Sequence, residues 1–590
     1  MDGESCKADI VIVGGGPVGS LLAYQLARFG CKPFIIEQED KTRSARYGRA
    51  TTFWPRTIEL LDQLDLADRL LQTGVVSRSG LHFHEGRRVK GGIMYGSRMD
   101  RLGDTFFKFA LHLRQRLTEE QFSSALEEYG FQHHNRHVIE SYSIHDGIAD
   151  DHPVTVRARD LSSDCIVQIK TKYLVGADGG KSTVRKLADI PFDGENTKHR
   201  WIRMDARVRT NMPNSRCLNS VDSATHGQIV WCPIDNGLTR IGYVLSSALL
   251  ERYGGVEAIT QDIAVEEAKK ALHPFELEFV SVEWFTVYGI GQRIAKTFYV
   301  ENRVFLAGDA CHTHSSGSAQ GLNTGVHDAV NLAWKLALCI HGLARPSILD
   351  SYNDERRPIV QQVIDNDKVI SMLISGQYPP RFQGRRESTR EILTEWFDDM
   401  SMQAFTLGLG ISYPVNTVNR EFPGPSRSTV NPGDRGPDVY LTELGTGDMV
   451  RLHTILKNDG KFSLVVFAGI PTQTMSSFSQ FREAVFGPFT KAFPARAFKW
   501  FTIPSVHGNG GQEIFVNPPM GKVYLDESVK AHDIYGVDIR IGAVIVFRPD
   551  GWVGTVVEMS EYGVVDLTAY FEHFLNRRDA IECNGVVAHL

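Results

Sequence analysis

The sequence predicts an α/β chain whose core is a parallel βαβ sheet, interrupted by an antiparallel sheet and followed by a smaller α/β domain. Three observations carry that expectation. A strand, a glycine-rich turn, a helix and an acid-tipped strand follow one another within residues 8–37. Two further strands, near residues 175 and 306, also run into an acid. Between them, HRWIRMDARVRT, GQIVWCPI, TRIGYVLS and FVSVEWFTVYG have the composition and alternation of half-buried strands.

The first element is ADIVIVGGGPVGSLLAYQLARFGCKPFIIEQED. Residues 8–13 form a short buried strand. Gly14, Gly16 and Gly19 make G-x-G-x-x-G, Pro17 suits a first helical turn, and Gly30 suits the helix stop. Ile35 and Ile36 belong to the second strand, which Glu37 closes 18 positions after the last glycine. With both strands and the acid in register, this is a Rossmann-like unit. Backbone N–H groups at the helix start receive a pyrophosphate, and Glu37 accepts ribose hydroxyls. An acid here repels a 2′-phosphate, which favours FAD or NAD over NADP in this pocket.

The second element, YLVGADGGKSTVR at residues 173–185, places Asp178 and Gly179 after a strand, with Ser182 and Arg185 beyond. The third, FLAGDACHTHSSGSAQGLNTGVHDAVNLAWKL, runs an apolar strand into Asp309 and then, after small and polar residues, into a periodic helix. No lysine or arginine stands in that loop, and Asp309 would repel a phosphate. The segment suits a polyol hydroxyl at Asp309 and partial negative charge facing the helix start. Three acid-tipped strands in one fold call for a ligand longer than a nicotinamide nucleotide alone.

Composition sets limits. The chain has 590 residues, 42% hydrophobic and 10% aromatic, enough for two to four domains. A net charge of -6 argues against nucleic acid or an anionic membrane as the main partner. No apolar run reaches spanning length, and MDGESCKADI is too acidic and polar for a signal peptide. Eight cysteines without C-x-x-C read as reduced thiols of a cytoplasmic protein. His82/His84 and His312/His314 are not completed by an acid or cysteine cluster in the sequence, so no metal site is expected.

Taken together, these motifs resemble the class A FAD-dependent aromatic hydroxylases, in the phenol hydroxylase-like branch with a thioredoxin-like C-terminal domain. The resemblance spans most of the chain. It rests on G-x-G-x-x-G, on Asp178-Gly179, and above all on Gly308-Asp309 within RVFLAGDACHTH…QGLN…D…NLAWKL. It implies a glutathione reductase-like FAD domain, with Asp309 on the ribityl chain. Backbone N–H groups of Gln320, Gly321, Leu322 and Asn323 would lie near the flavin's N1–C2=O edge. Arg49 and Gln115 resemble the family's flavin-contacting arginine and Q-x-x-x-E helix. Tyr288 matches a tyrosine aimed at bound substrate, and Trp231 and Tyr243 are further pocket candidates.

The implied activity uses NADPH or NADH and O₂ to oxygenate an aromatic or polyketide-like substrate through a flavin C4a-hydroperoxide. A dehydrogenase or reductase on the same fold, and a non-catalytic FAD-binding scaffold, stay open. Three departures from the family pattern are informative. Thr51 stands where phenol-hydroxylating relatives carry an aspartate, and a hydroxyl is no base at neutral pH. Ser316 and Ala319 replace a proline and a glycine beside the flavin. PTQT follows the strand at residues 462–470, where C-x-x-C would sit, so the last domain is expected to be a scaffold or homodimer contact. Its removal is expected to leave flavin chemistry possible. The expected organisation is an FAD domain at 1–190 and 290–365, and a substrate sheet at 80–110 and 191–289. A helical segment at 366–420, a proline-rich linker at 421–435 and the terminal domain at 436–590 complete it.

Overall fold

The computed structural model describes residues 5–41, 49–78, 80–89, 104–145, 151–315, 317–422, 428–506 and 519–578. Its central sheet is built from short apolar strands. Ser5–Val13 lies between Ile166–Gly176 and Pro33–Glu37, parallel to both. Val304–Leu306 extends the sheet on one side and His133–Asn135 on the other, again parallel. Ile10, Val11 and Ile12 are fully buried, as expected for strands covered on both faces. Val13 is level with Gly176, and Gly176 with Leu306, so the turns at Gly14, Asp178 and Asp309 emerge side by side at one carboxyl edge.

Helices Pro17–Arg28 and Gln320–Ile340 cross this edge in close contact. A Cβ on Gly325 would lie 2.6 Å from Val18, and one on Gly308 2.9 Å from the same side chain, so glycine is required at both.

The second sheet holds eight strands among the described residues, and its spine is long. Phe192–Thr210 and Leu277–Ala295, 19 residues each, pair antiparallel along their lengths. Thr239–Leu245, Gly227–Pro233 and Leu218–Ser223 follow in order. At its inner edge His312–Thr313 pairs with Leu277–Ala295, which stitches the Asp309 loop to this sheet. Alternation gives the sheet two distinct faces. Ile202, Met204, Trp231 and Tyr243 pack with Ala264, Ala268 and Leu272 of helix Gln261–Leu272. Trp201, Val244 and Tyr288 face the other way, toward Trp54, Leu373, Trp396 and Phe382.

The terminal domain is a mixed sheet in which Phe462–Gly469, buried throughout, runs parallel to Phe498–Pro504 and antiparallel to Ala543–Phe547. Helix Pro471–Ala484 follows that strand, with Val553–Glu558 at the sheet edge.

The expected domain boundaries divide elements that are continuous. Position 365/366 falls within helix Asp350–Ile374, and 289/290 within the long strand Leu277–Ala295. The expected linker is corrected more sharply. Residues 423–427 lie outside the described residues, but Arg435 is buried and donates to Glu59 at 2.6 Å and Asp104 at 2.7 Å. Proline-rich composition signalled a break in secondary structure, and the chain there is instead clamped into the domain interface. No helix among the described residues is long and apolar enough to cross a membrane, and the seven described cysteines are all free.

Candidate functional site

At the glycine turn, local sterics dictate composition. Gly14 has φ +107°, and a Cβ on Gly19 would lie 2.0 Å from the Gly14 carbonyl oxygen. A Cβ on Gly16 would meet nothing within 4 Å, so the helix start opens onto free space there. Pro17 occupies the first helical position, and no side chain caps the N-terminus. That leaves backbone N–H groups directed outward, the arrangement that receives a pyrophosphate.

Glu37 braces the turn from below. Its two carboxylate oxygens accept from the Gly15 N–H at 2.7 Å and the Glu39 N–H at 2.8 Å. Gln115 reaches it indirectly: Gln115 donates to Glu119 at 2.8 Å, Glu119 takes Lys41 at 2.7 Å, and Lys41 lies 3.7 Å from Glu37. Gly15 and Lys41 were missed from sequence. The lysine four residues beyond the acid was the available signal.

The other two acids differ in use. Asp178 turns its carboxylate inward, onto Ser182 Oγ at 2.5 Å and the Thr183 and Val184 N–H groups, where burial raises its pKa. Arg185 then joins the two loops, donating to the Ala310 carbonyl at 2.7 Å and the Gly180 carbonyl at 3.0 Å. Asp309 is exposed between buried Gly308 and Ala310, a carboxylate presented outward from the sheet edge. Its turn is held by Asp328, which accepts from the Gly308 N–H at 3.0 Å, His312 at 2.7 Å and Arg356 at 2.7 Å. Burial would raise the Asp328 pKa, but His312 and Arg356 more than offset it and hold it down at about 2.

The helix start near residue 320 is likewise uncapped by any side chain. Gln320 donates to the Thr406 carbonyl at 2.6 Å. Asn323 accepts from the Trp54 N–H and donates to the Thr52 carbonyl, both at 2.9 Å. These side chains fix the helix, and the backbone N–H groups of Gly321 and Leu322 stand in its uncapped first turn. Ala319 sits at φ +53°, a left-handed conformation that costs a non-glycine residue roughly 1 kcal/mol. Ser316 lies outside the described residues. The loop is otherwise anchored by Asp367, which accepts from the Ser315 N–H and Gln292 at 2.8 Å each.

Above this helix start stands a wall of aromatic side chains: Trp54, Trp201, Tyr288, Trp396 and Phe382. Arg203, Asp205 and Arg240 share the same sheet face, and Arg240 grips Asp205 through Nε at 2.7 Å and Nη2 at 2.8 Å. Arg240 also donates to the Arg49 carbonyl and lies 3.5 Å from Thr51 Oγ1. Arg49 itself is exposed, with φ +62°. Sequence reading missed Trp201, Arg203, Arg240 and Trp396. Their strand and helix contexts look like ordinary core until the two elements meet.

Trp231 and Tyr243 are not brought to this aromatic cluster. They lie on the opposite, helix-covered face, with Trp231 Nε1 donating to the Ser215 carbonyl at 2.7 Å and Tyr243 OH to the Ala264 carbonyl at 2.8 Å. That corrects their expected role in binding substrate, because each spends its polar atom in the core. Among the described residues, Cys311, His312 and Asp328 bring possible metal-ligand atoms within 4.8 Å. Arg356 bridges that carboxylate at 2.7 Å and Cys311 Sγ donates to the Gly308 carbonyl at 3.3 Å, which ties these groups into the hydrogen-bonded brace beneath the Asp309 turn.

Residues 7–367 match the family model described as FAD binding domain, and residues 411–579 match the phenol hydroxylase C-terminal dimerisation domain. The chain is 26% identical to phenol 2-monooxygenase fsqG of Aspergillus fumigatus, covering 95% of each. It is 27% identical to 3-hydroxybenzoate 4-monooxygenase of Comamonas testosteroni, covering 96% of this chain and 95% of that one. Its fold is like that of aklavinone-11 hydroxylase, solved with FAD and aklavinone: TM-score 0.72, 20% identity, and coverage of 97% and 99% of the two chains. The chain belongs to the FAD binding domain family.

Proposed function

We propose that this member of the FAD binding domain family is an FAD-dependent monooxygenase that uses NAD(P)H and O₂ to oxygenate an aromatic or polyketide-like substrate. One observation carries the reading. The open glycine turn, the outward Asp309 and the uncapped helix start line one edge, and the aromatic wall around Tyr288 stands over that helix start.

The residues present fit FAD. Gly14, Gly16, Pro17 and Gly19 leave backbone donors for its pyrophosphate, Glu37 stands at the ribose position, and Asp309 offers a carboxylate to a sugar-alcohol hydroxyl. When bound there, FAD supplies hydride uptake from NAD(P)H and activation of O₂. The chain's own work is to bind, orient and keep water out. N–H groups at the Gln320–Ile340 helix start stabilise negative charge. Trp201, Tyr288 and Trp396 flank the substrate ring, and the Thr51 hydroxyl can hydrogen-bond without acting as a base. The names of the two curated relatives, a phenol and a hydroxybenzoate monooxygenase, support an aromatic substrate.

The terminal domain reads as thioredoxin-like without its dithiol. Phe462–Gly469 is its central strand, and Pro471, Thr472, Gln473 and Thr474 stand where a redox pair would. Its likeness to a dimerisation domain supports a homodimer.

The test is twofold. Heat-released flavin should be FAD at one per chain by mass spectrometry, and turnover under ¹⁸O₂ should place one labelled atom in product per NAD(P)H consumed. A colourless protein supports the scaffold alternative. Oxidised product without label supports a dehydrogenase and overturns the proposal.

A further inference from the structure

We infer that His133 is a positioning residue for the pyrophosphate of FAD: acting through Ser20, it sets the Gly15–Gly16 peptide so that the Gly16 N–H is presented to the ligand. This rests on the reading of the glycine turn as an FAD site.

His133 lies 113 residues from Ser20 in the chain, and parallel pairing sets it level with Ile35, beneath the glycine turn. Its Nε2 is 2.8 Å from Ser20 Oγ, and Ser20, fully buried in helix Pro17–Arg28, is 3.0 Å from the Gly15 carbonyl oxygen. A carbonyl oxygen only accepts, so the Ser20 hydroxyl donates to Gly15 and its oxygen is left to accept from His133. Burial, helped by nearby Lys41, holds the imidazole pKa down at about 4. The ring is therefore neutral at neutral pH and carries one proton, which this geometry places on Nε2. It also fills the space beside Gly15: a Cβ on that glycine would lie 2.7 Å from His133 Cδ2.

These contacts converge on one peptide plane. In a trans peptide the C=O and the following N–H point in opposite directions. With the Gly15 carbonyl drawn inward to Ser20, the Gly16 N–H is turned outward, beside open space where a Cβ on Gly16 would meet nothing within 4 Å. The preceding peptide is pinned separately, by the Gly15 N–H donating to Glu37 at 2.7 Å. Glycine has no side chain to restrict its φ and ψ, so without both anchors the plane carrying the Gly16 donor is free to rotate. Glu37 fixes one plane, and His133 with Ser20 fixes the other.

FAD release from the holoenzyme is followed by flavin fluorescence and the bound pyrophosphate by ³¹P NMR. Riboflavin, which lacks phosphate, is titrated into the flavin-stripped chain. His133→Leu and Ser20→Ala should each speed FAD release about tenfold and shift the ³¹P resonances, while riboflavin affinity stays within about twofold. The double variant should be at most about threefold faster than either single one, because both break the same chain of hydrogen bonds. His133→Gln keeps an N–H donor at similar reach and should stay within about threefold of wild type, with a wild-type ³¹P spectrum. FAD release within about twofold of wild type in both His133→Leu and Ser20→Ala overturns the inference. So does a glutamine variant as leaky as the leucine one, or riboflavin binding weakened as much as FAD binding, since either outcome reduces His133 to packing. A wild-type chain that retains no FAD removes the proposed function as well. Wild type and variants that hold FAD equally sink this inference alone.

Discussion

Replacing Arg548 with methionine tests how far the terminal domain supports the flavin-binding domain. Arg548 is fully buried and donates to Glu355 at 2.5 Å, Asn419 at 2.7 Å and Asp550 at 2.6 Å. Glu355, also fully buried, receives Lys335 at 2.8 Å. Arg548→Met leaves two carboxylates and one ammonium in a dry interface. Removing one partner of such a set typically costs about 3–5 kcal/mol, because a buried charge loses its compensation. At about 2.1 cal/mol/K of unfolding entropy per residue, ~4 kcal/mol lowers Tm by about 3 °C if the whole chain melts together. If the terminal domain melts alone, the same loss is worth about 12 °C. The neighbour of Glu355 is Arg356, which holds Asp328 and through it the Gly308 turn. Flavin release measured by fluorescence should therefore accelerate in step with the Tm drop. Calorimetry showing Tm within 1 °C of wild type, with unchanged flavin release, would refute the reasoning. The same network argues against the sequence expectation that removing residues 436–590 spares flavin chemistry, since that deletion strips Glu355 of Arg548.

Asp309→Ala should weaken FAD retention by about 10- to 100-fold, the loss of a charged hydrogen bond worth ~1.5–3 kcal/mol; wild-type flavin content would count against the assignment. Ala319→Gly should raise stability by roughly 1 kcal/mol by relieving a left-handed alanine, read from denaturant midpoints. Tyr288→Phe should lower the coupling of NAD(P)H use to product more than it lowers substrate affinity; a variant as well coupled as wild type would remove Tyr288 from the site. Burial pushes His112 down to about 3, well below its ordinary value near 6.5. The unfolded chain therefore binds more protons between these values, so stability is full above about 6.5 and falls on acidification at up to ~1.4 kcal/mol per pH unit. His112→Gln should flatten that slope by one proton's worth, and an unchanged slope would exclude His112 as the source.

The glycine turn and the acid that braces it were legible in the sequence. Gly14, Gly16, Gly19 and Glu37 are legible because local backbone sterics demand those residue types at that spacing, and neighbours in sequence are neighbours in space. The strand character of residues 199–210, 227–234, 239–246 and 279–289 was equally readable from alternation. Alternation does not say which face meets the ligand when both faces are buried, and so Trp231 and Tyr243 were placed on the wrong side of their sheet. The aromatic cluster joins Trp54, Trp201, Tyr288 and Trp396 from segments scattered across the chain, and no local pattern links them. Asp328 and Arg356 brace the Asp309 turn from within two helices, where each reads as a solvated charge on an amphipathic face. Arg435 looked like linker because proline and glycine surround it. Only the folded chain put Glu59 and Asp104 within reach, and buried charge is stable only where such partners converge.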